Sequence, residues 1–440
     1  MNKKLGLLPL VAATFFMVSG GPYGIEGLVQ QAGYVGAIAT LVLIPLIWSL
    51  PTGLMVGELA SAIPAEGGFY VWVRRALGPF WGFQEAWLSL AASVFDMAAY
   101  PTIFVLSLGQ LWPGALHNPW RVAIPAAVIF ACVAWNLLGA GAVGGGSIAL
   151  GIALLAPFAA MMFFAPHRGI VTRAPHGAWY AGLVIAMWNC MGWDNASTVA
   201  QEVRDPQRTY PRTMLWAVLA VALVYIAPIL AVAYAGVPSS EWSDGAWVTL
   251  AGGIRPWLAL PVLITIMVSV LGQVNSLTMS YSRIPLAMAE DGLAPGFLRR
   301  VSKNGAPWAA LLACGVIWTM ALSLSLDRIL LLDILLYGAS LILEFIALIV
   351  LRVREPGLER PLRIPGKIFG AVLAAGPPCA LLIFAAIMNR HEQIGQISAA
   401  MLAGVVAICG VAMYPAVKRL TKPAPPSHAS SPRPPCSDRR

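Results

Sequence analysis

Apolar runs near twenty residues recur twelve times along this chain, and that pattern leaves few folds open to it. A helix rises about 1.5 Å per residue, so each run is long enough to cross the roughly 30 Å hydrocarbon core of a bilayer. The runs lie at about 5–31, 35–61, 79–110, 120–138, 145–165, 178–200, 213–235, 258–288, 308–326, 328–351, 367–388 and 394–417. With 59% hydrophobic and 11% charged residues, the composition excludes an ordinary water-soluble globule. The expected fold class is an all-α polytopic membrane protein of about twelve transmembrane helices, with the lipid bilayer as its surroundings.

The net charge of +9 is a topology signal. With the N-terminus placed inside and Arg283 assigned inward, only Arg121, Arg168, Arg173, Arg255, Arg328 and Arg390 of the 28 Lys and Arg face outward. That asymmetry follows the positive-inside rule, puts both termini in the cytoplasm and needs no nucleic acid to explain it. Cys132, Cys190, Cys314, Cys379 and Cys409 fall in apolar runs and Cys436 in the tail, with no C-x-x-C pair, so neither a disulfide framework nor a metal site is read. His117, His167, His176, His391 and His428 all map to loops or the tail, which speaks against intramembrane histidine chemistry. No cofactor and no catalytic residue is implied.

The first run is interrupted by VSGGPYGIE, Val18 to Glu26. Gly20, Gly21 and Gly24 permit backbone angles that a helix does not use, and Pro22 lacks an N–H. The run therefore reads as two half-helices joined by unwound backbone. Such backbone is tolerated at membrane depth where it is buried in protein or lines a cavity, so the break is a candidate substrate site. Preceded by Lys3 and Lys4, the run also resembles a secretory signal peptide, but no small-x-small cleavage site clearly ends it and further membrane segments follow. A second interruption, MWNCMGWDNAS from Met187 to Ser197, brings Asn189, Gly192, Asp194 and Asn195 into the sixth run. Each break opens a block of five runs, which points to an inverted-repeat transporter with its site between the breaks at the midplane. The expected organisation is a first repeat over 1–165, a second over 166–351, two further helices over 352–417 and a disordered cytoplasmic tail over 418–440.

A carboxyl at the membrane centre costs about 2.5–3.5 kcal/mol on insertion scales, so acids there are functional candidates. Asp96, half-way along the third run in SVFDMAAYP, is one, with a satisfied structural hydrogen bond as the alternative. Glu344, in LYGASLILEFIALIVLR, is another, and pairing or snorkelling toward Arg352 is its alternative. Glu58 reads as the partner of a neighbouring Arg or as a backbone cap. Gln84 and Glu85 open the third run. In the eighth, a stripe of Gln273, Asn275, Ser276, Thr278 and Ser280 is explained equally well by hydrogen-bonded helix packing. Tyr70 to Leu77 forms a short amphipathic helix, held at the inner surface by Arg74 and Arg75.

GGPYGIE, ELASAIPAEGGFYVWVRRALGPFWGF, GWDNASTVAQEVRDPQRTYPR, SRIPLAMAEDGLAP and LRVREPGLERPLRIPG together resemble the amino acid-polyamine-organocation permease superfamily over most of residues 5 to 417. GGPYGIE, FDMAAYP, GWDNAS and LILEFIAL look most like its polyamine and L-type amino-acid transporters. The resemblance implies a five-plus-five inverted repeat with two extra C-terminal helices and a substrate held between the breaks. Carried onto this chain, the substrate-binding set is Gly20, Gly21, Tyr23, Gly24, Glu26, Asp96, Trp188, Asn189, Trp193 and Asp194. Amides around Gly20, Gly21 and Gly24 would face a carboxylate, carbonyls near Val18 to Gly20 and Trp188 to Cys190 an ammonium, and Trp188 and Trp193 an aromatic wall or gate. Two departures stand out. The fifth run lacks the Lys that some members use for coupling, and Asp194 stands where the family pattern has Glu. That leaves Glu26, Asp96, Asp194 and Glu344 as proton-coupling candidates.

Glu26 bears on the substrate, because a negative charge beside the first break repels an amino-acid carboxylate and attracts a polyamine. The reading leans to proton-coupled uptake of a polyamine across the inner membrane by alternating access, with the proton as co-substrate. A neutral or cationic amino-acid permease or exchanger is the alternative, with Glu26 protonated or turned away. More remote are a non-transporting sensor and an intramembrane enzyme, the latter lacking any intramembrane His beside Ser19.

Overall fold

The computed structural model describes residues 5–170, 179–322, 329–388, 393–394 and 397–421. Lys3, Lys4, Arg173, Arg328, Arg390, His176, His391, His428, Cys436 and the tail 422–440 lie outside the described residues.

The helices run in the order α1 (Leu7–Val18), α2 (Glu26–Ile44), α3 (Leu50–Ala62), α4 (Phe69–Leu77), α5 (Pro79–Leu111), α6 (Trp120–Asn136), α7 (Ala140–Phe164), α8 (Trp179–Trp188), α9 (Pro206–Tyr234), α10 (Ala246–Ile254), α11 (Ala259–Tyr281), α12 (Arg283–Glu290), α13 (Trp308–Ala321), α14 (Ile329–Arg354), α15 (Lys367–Met388) and α16 (Ala399–Leu420). Among the described residues, eight stretches are long and apolar enough to cross a membrane, and α1, α6 and α13 are shorter apolar helices. Helix α1 and the first turns of α2 form a broken first crossing. Gly33, at φ 67°, then turns the chain into the second, which continues through a π-helical turn at Pro45–Ser49 into α3. Helix α8 opens a second broken crossing. The amphipathic segment expected at Tyr70 to Leu77 is α4, set off by Gly68 and Gly78. The twelfth run, expected at 394–417, forms α16 at 399–420 instead. There the Ser398 hydroxyl caps the Met401 amide at 3.2 Å, and a two-residue antiparallel pairing of Gln393–Ile394 with Ile397–Ser398 takes up the preceding chain.

Crossings pack on those five positions later in the order: α2 on α8, α3 on α9, α5 on α11 and α6 on α13. Helix α7 lies on α11, and its counterpart α14 lies on α5, which is the same contact with the two halves exchanged. The arrangement is the five-plus-five pattern with α15 and α16 added outside it.

The bundle is tied shut on the side of its N-terminus. Leu5 exchanges backbone hydrogen bonds with Glu202 and Arg204, both 2.8 Å, and the Gly67 amide donates to the Thr198 carbonyl at 2.9 Å. Arg283, fully buried, reaches Glu202 at 2.7 Å and Glu66 at 3.8 Å. On the opposite side Trp247 donates to the Pro22 carbonyl at 2.8 Å and stacks edge-on with Trp242 and Phe158.

Glu58 sits completely buried in α3, and both of its oxygens are engaged by Arg352 of α14, with Arg360 at 3.2 Å and the Ile364 amide at 2.8 Å. By contrast, Arg75 pairs with Glu355 near the surface, where the guanidinium holds the Glu355 carboxyl below its ordinary range. Removing one partner of a buried pair strands a charge, at a cost of about 3–5 kcal/mol, whereas an exposed pair is worth about 0–1 kcal/mol. Glu58→Gln should therefore lower the thermal unfolding midpoint in detergent, followed by tryptophan fluorescence, well beyond Arg75→Gln. Equal midpoints for the two variants would contradict the assignment.

Candidate substrate site between the two breaks

In the first break the chain leaves the helix at Ser19, whose backbone is extended, passes two left-handed glycines, Gly21 and Gly24, and re-enters at Glu26. Unwinding releases backbone groups that a bilayer cannot satisfy, so each needs a protein partner. The Gly20 carbonyl accepts from Ser269 at 2.5 Å, Pro22 from Trp247 and Gly24 from the Asn189 amide at 2.9 Å. The Gly21 amide donates to the Ser19 hydroxyl at 3.1 Å. Tyr23 donates to the Val262 carbonyl at 2.8 Å and its hydroxyl lies 2.5 Å from that of Thr265, within hydrogen-bond distance.

The second break spends its groups the same way. Trp48 donates to the Cys190 carbonyl at 2.8 Å, Tyr225 to that of Asn189 at 2.9 Å, and the Gly192 amide donates to the Tyr337 hydroxyl at 3.0 Å. Beyond Gly192 the chain forms short 3-10 turns at Asp194–Thr198 and Ala200–Glu202 rather than an α-helical half. Hydroxyls compete there for the backbone: the Asn195 carbonyl accepts from Thr198 and Ser280, both 2.9 Å. The breaks are also joined directly. Asn189 holds Gly24, while Tyr225 accepts from Ser19 and donates to Asn189.

Between the breaks and helices α5, α11 and α14 lies a small cavity walled by Asp96, Tyr100, Trp188, Tyr281, Asp333 and Tyr337, together with Met17, Val18 and Gly192. Its volume is about 20 Å³, room for one water, so the structure is a closed state. Asp96 accepts from Tyr281 at 2.8 Å and Asp333 from Trp188 at 3.3 Å. Tyr100 stacks on Trp188 with centroids 6.4 Å apart and planes at 27°. No basic side chain lines the cavity among the described residues, so its two carboxylates face aromatic rings and no counter-charge.

The structure distributes the sequence-expected residues over three levels. Asp96 and Trp188 line the cavity, and Asp194 adjoins it through a 2.5 Å hydrogen bond from the Tyr337 hydroxyl. Gly20, Gly21, Tyr23, Gly24, Glu26 and Asn189 belong to the stitched breaks and do not line it, and Glu26 is buried. Trp193 is fully buried with its indole N–H unpartnered, away from the cavity wall. Glu344 is fully buried too and does not pair with Arg352, which Glu58 has taken. The backbone carbonyls of Gly20, Asn189 and Cys190, expected to face an ammonium, are occupied by side chains in this closed state. Asp333, Tyr100 and Tyr281 escaped the sequence reading. Asp333 stands alone in the apolar LLLDILLYG, the same signal that marked Asp96, and Tyr100 follows Asp96 by one helical turn.

A cavity at paired helix breaks, inside a bundle of this order, defines a multi-pass membrane transporter. The sequence model of the amino acid permease family matches residues 11–412, and the chain belongs to that family. It is 34% identical to a probable polyamine transporter of Arabidopsis thaliana over 426 residues, covering 94% of this chain and 87% of the relative. A polyamine transporter of Oryza sativa subsp. japonica is 34% identical over 432 residues, 96% of this chain and 79% of the relative. An uncharacterized transporter of Legionella pneumophila is 28% identical over 355 residues, 73% of this chain and 76% of the relative.

Gly192 combines φ 94° with the Met17 carbonyl 2.5 Å from where a Cβ would stand, so any side chain forces the two breaks apart. Gly145, in α7, has open space around it. Gly192→Ala should abolish uptake of the transported solute in a protein that still reaches the membrane, while Gly145→Ala stays at the wild-type rate. Normal uptake by Gly192→Ala would show that the second break tolerates the displacement.

Proposed function

We propose that this permease takes up polyamines by proton-coupled symport through alternating access. The observation that carries the reading is the pair Asp96 and Asp333 in one aromatic-walled cavity without a base. Two ammonium groups on an aliphatic chain match two carboxylates flanked by rings, through charge-assisted hydrogen bonds and cation–π contact. Glu26, buried beside the first break, would repel an amino-acid carboxylate, and this also favours a substrate without one. The names carried by the plant relatives agree with the reading.

In this scheme the residues flanking the breaks, Gly20, Gly21, Tyr23, Gly24, Asn189, Trp193 and Asp194, shape the route, while Trp188 closes over the bound amine. Opening requires release of the Arg283–Glu202 contact on one side or of the Trp247–Pro22 contact on the other. The repeats are assigned to 1–165 and 166–351, with 352–417 outside them, both termini in the cytoplasm and the protein in the inner membrane. A carboxyl among Glu26, Asp96, Asp194 and Glu344 exchanges a proton during the cycle, and no enzymatic step is involved.

The test is labelled putrescine uptake into proteoliposomes with an acidic exterior, with and without excess unlabelled amino acids. Uptake that follows the gradient and resists amino acids is expected, with Asp96→Asn and Asp333→Asn each weakening putrescine at least about tenfold. If the vesicles accumulate a labelled amino acid and no putrescine, the substrate is an amino acid.

A further inference from the structure

Helices α5 and α14 pack side by side in opposite directions, and each carries acids eleven residues apart: Glu85 and Asp96 on α5, Asp333 and Glu344 on α14. Eleven residues make about three turns, or about 16 Å, so both acids of each helix lie on one face. One level is the cavity with Asp96 and Asp333. The other is Glu85 and Glu344, both fully buried and absent from the cavity wall.

At that second level Glu85 accepts from Ser89 at 2.9 Å and from Ser340 at 3.1 Å through one oxygen, and its other oxygen has no partner. Glu344 has no hydrogen-bond partner for either oxygen. Of the other elements packed on α14, α3 offers Glu58, engaged by Arg352 and Arg360, and α4 offers Tyr70, Arg74 and Arg75, tied to Asp291 and Glu355. Helix α15 offers Lys367 and Cys379, and α16 offers Tyr414, Lys418 and Arg419. None of these hydrogen-bonds to Glu344. A bare carboxylate in such a place is costly, whereas a carboxylic acid is tolerated.

We propose that Glu85 and Glu344 form the proton site of the transporter, about 16 Å along α5 and α14 from the substrate cavity. The proposal rests on the coupled-transport reading above and selects one place for the proton. Glu344 takes up one proton as its carboxylate becomes a carboxylic acid and releases that proton to water on the opposite side when the bundle has switched. Ser89 and Ser340, 2.8 Å apart, hold Glu85 at the pair. Tyr337, one turn from Ser340, links the pair to the cavity by donating to Asp194 and accepting from the Gly192 amide. Through Tyr337, a shift of the second break around substrate reaches the helix that carries Glu344. Among the described residues no group of three or more His, Cys, Asp or Glu is placed to hold a metal ion, and the unpartnered Glu344 oxygens suit a proton better than a many-oxygen cation shell.

The test uses the full chain in sodium-free proteoliposomes with an internal pH dye and labelled putrescine. For Glu344→Gln and for Glu85→Gln, putrescine-evoked proton entry should fall at least about tenfold and uptake should stop responding to the pH gradient. Exchange of external labelled for internal unlabelled putrescine should stay within about threefold of wild type, which also reports that the variants fold. Proton entry at the wild-type level in both variants overturns the assignment, as does loss of exchange together with coupling. A sodium gradient that drives wild-type but not Glu344→Gln uptake would overturn it in favour of a cation site. Wild-type putrescine uptake without proton entry would fail the coupling reading itself, whereas coupling that survives in the variants fails only the choice of this pair.

Discussion

The hydrogen bonds that cross from one helix break to the other set the geometry of the whole molecule. Two stretches of backbone are unwound at a depth where water cannot satisfy them; the first survives on donors from the other half of the protein, the second on Trp48 from the first half together with Tyr225 and Tyr337 of its own. Asn189 of the second break holds the carbonyl of Gly24 in the first, and the Tyr225 hydroxyl joins Ser19 to Asn189. Ser269, Trp247, Trp48 and Tyr337 complete the set from four further helical segments. In the proposed cycle, a motion that separates the breaks must exchange these partners for water or substrate, which would give substrate leverage over the bundle.

The same framework sorts the buried charge. Basic side chains sit near the N-terminal side, where Arg283 and Arg352 meet Glu202 and Glu58. Among the described residues, the acids between α5 and α14 stand at two levels. At the upper level the acids are walled by Tyr100, Trp188, Tyr281 and Tyr337 and open to a cavity, and at the lower level they are sealed. An environment rich in buried acid and without base is stable with cations in it, whether ammonium groups or protons. That is the electrostatic basis on which the proposed function treats both as passengers.

Much of this was legible in the sequence because membranes force it to be. Runs near twenty residues gave the crossings, and GGPYG and NCMGWDN gave the breaks, since glycine and proline in a membrane helix leave few alternatives. Asp96 was legible as an isolated acid in an apolar run. Asp333 carried the same signal and was passed over for Glu344, which sits in a motif resembling the polyamine transporters. What the sequence did not contain was which side chains satisfy the breaks. That Glu26 and Trp193 lie outside the cavity wall and that Arg352 serves Glu58 rather than Glu344 depend on tertiary packing among residues far apart in the chain.

The central claim is that Asp96 and Asp333 act together on one dication. It is tested most directly by equilibrium binding of putrescine and of butylamine, its single-ammonium counterpart, to purified wild type and to Asp333→Asn. The account predicts that wild type prefers putrescine by at least about tenfold, roughly 1.4 kcal/mol, and that Asp333→Asn binds both amines alike. Equal affinity of wild type for the two amines, or a preference that survives in Asp333→Asn, would contradict it.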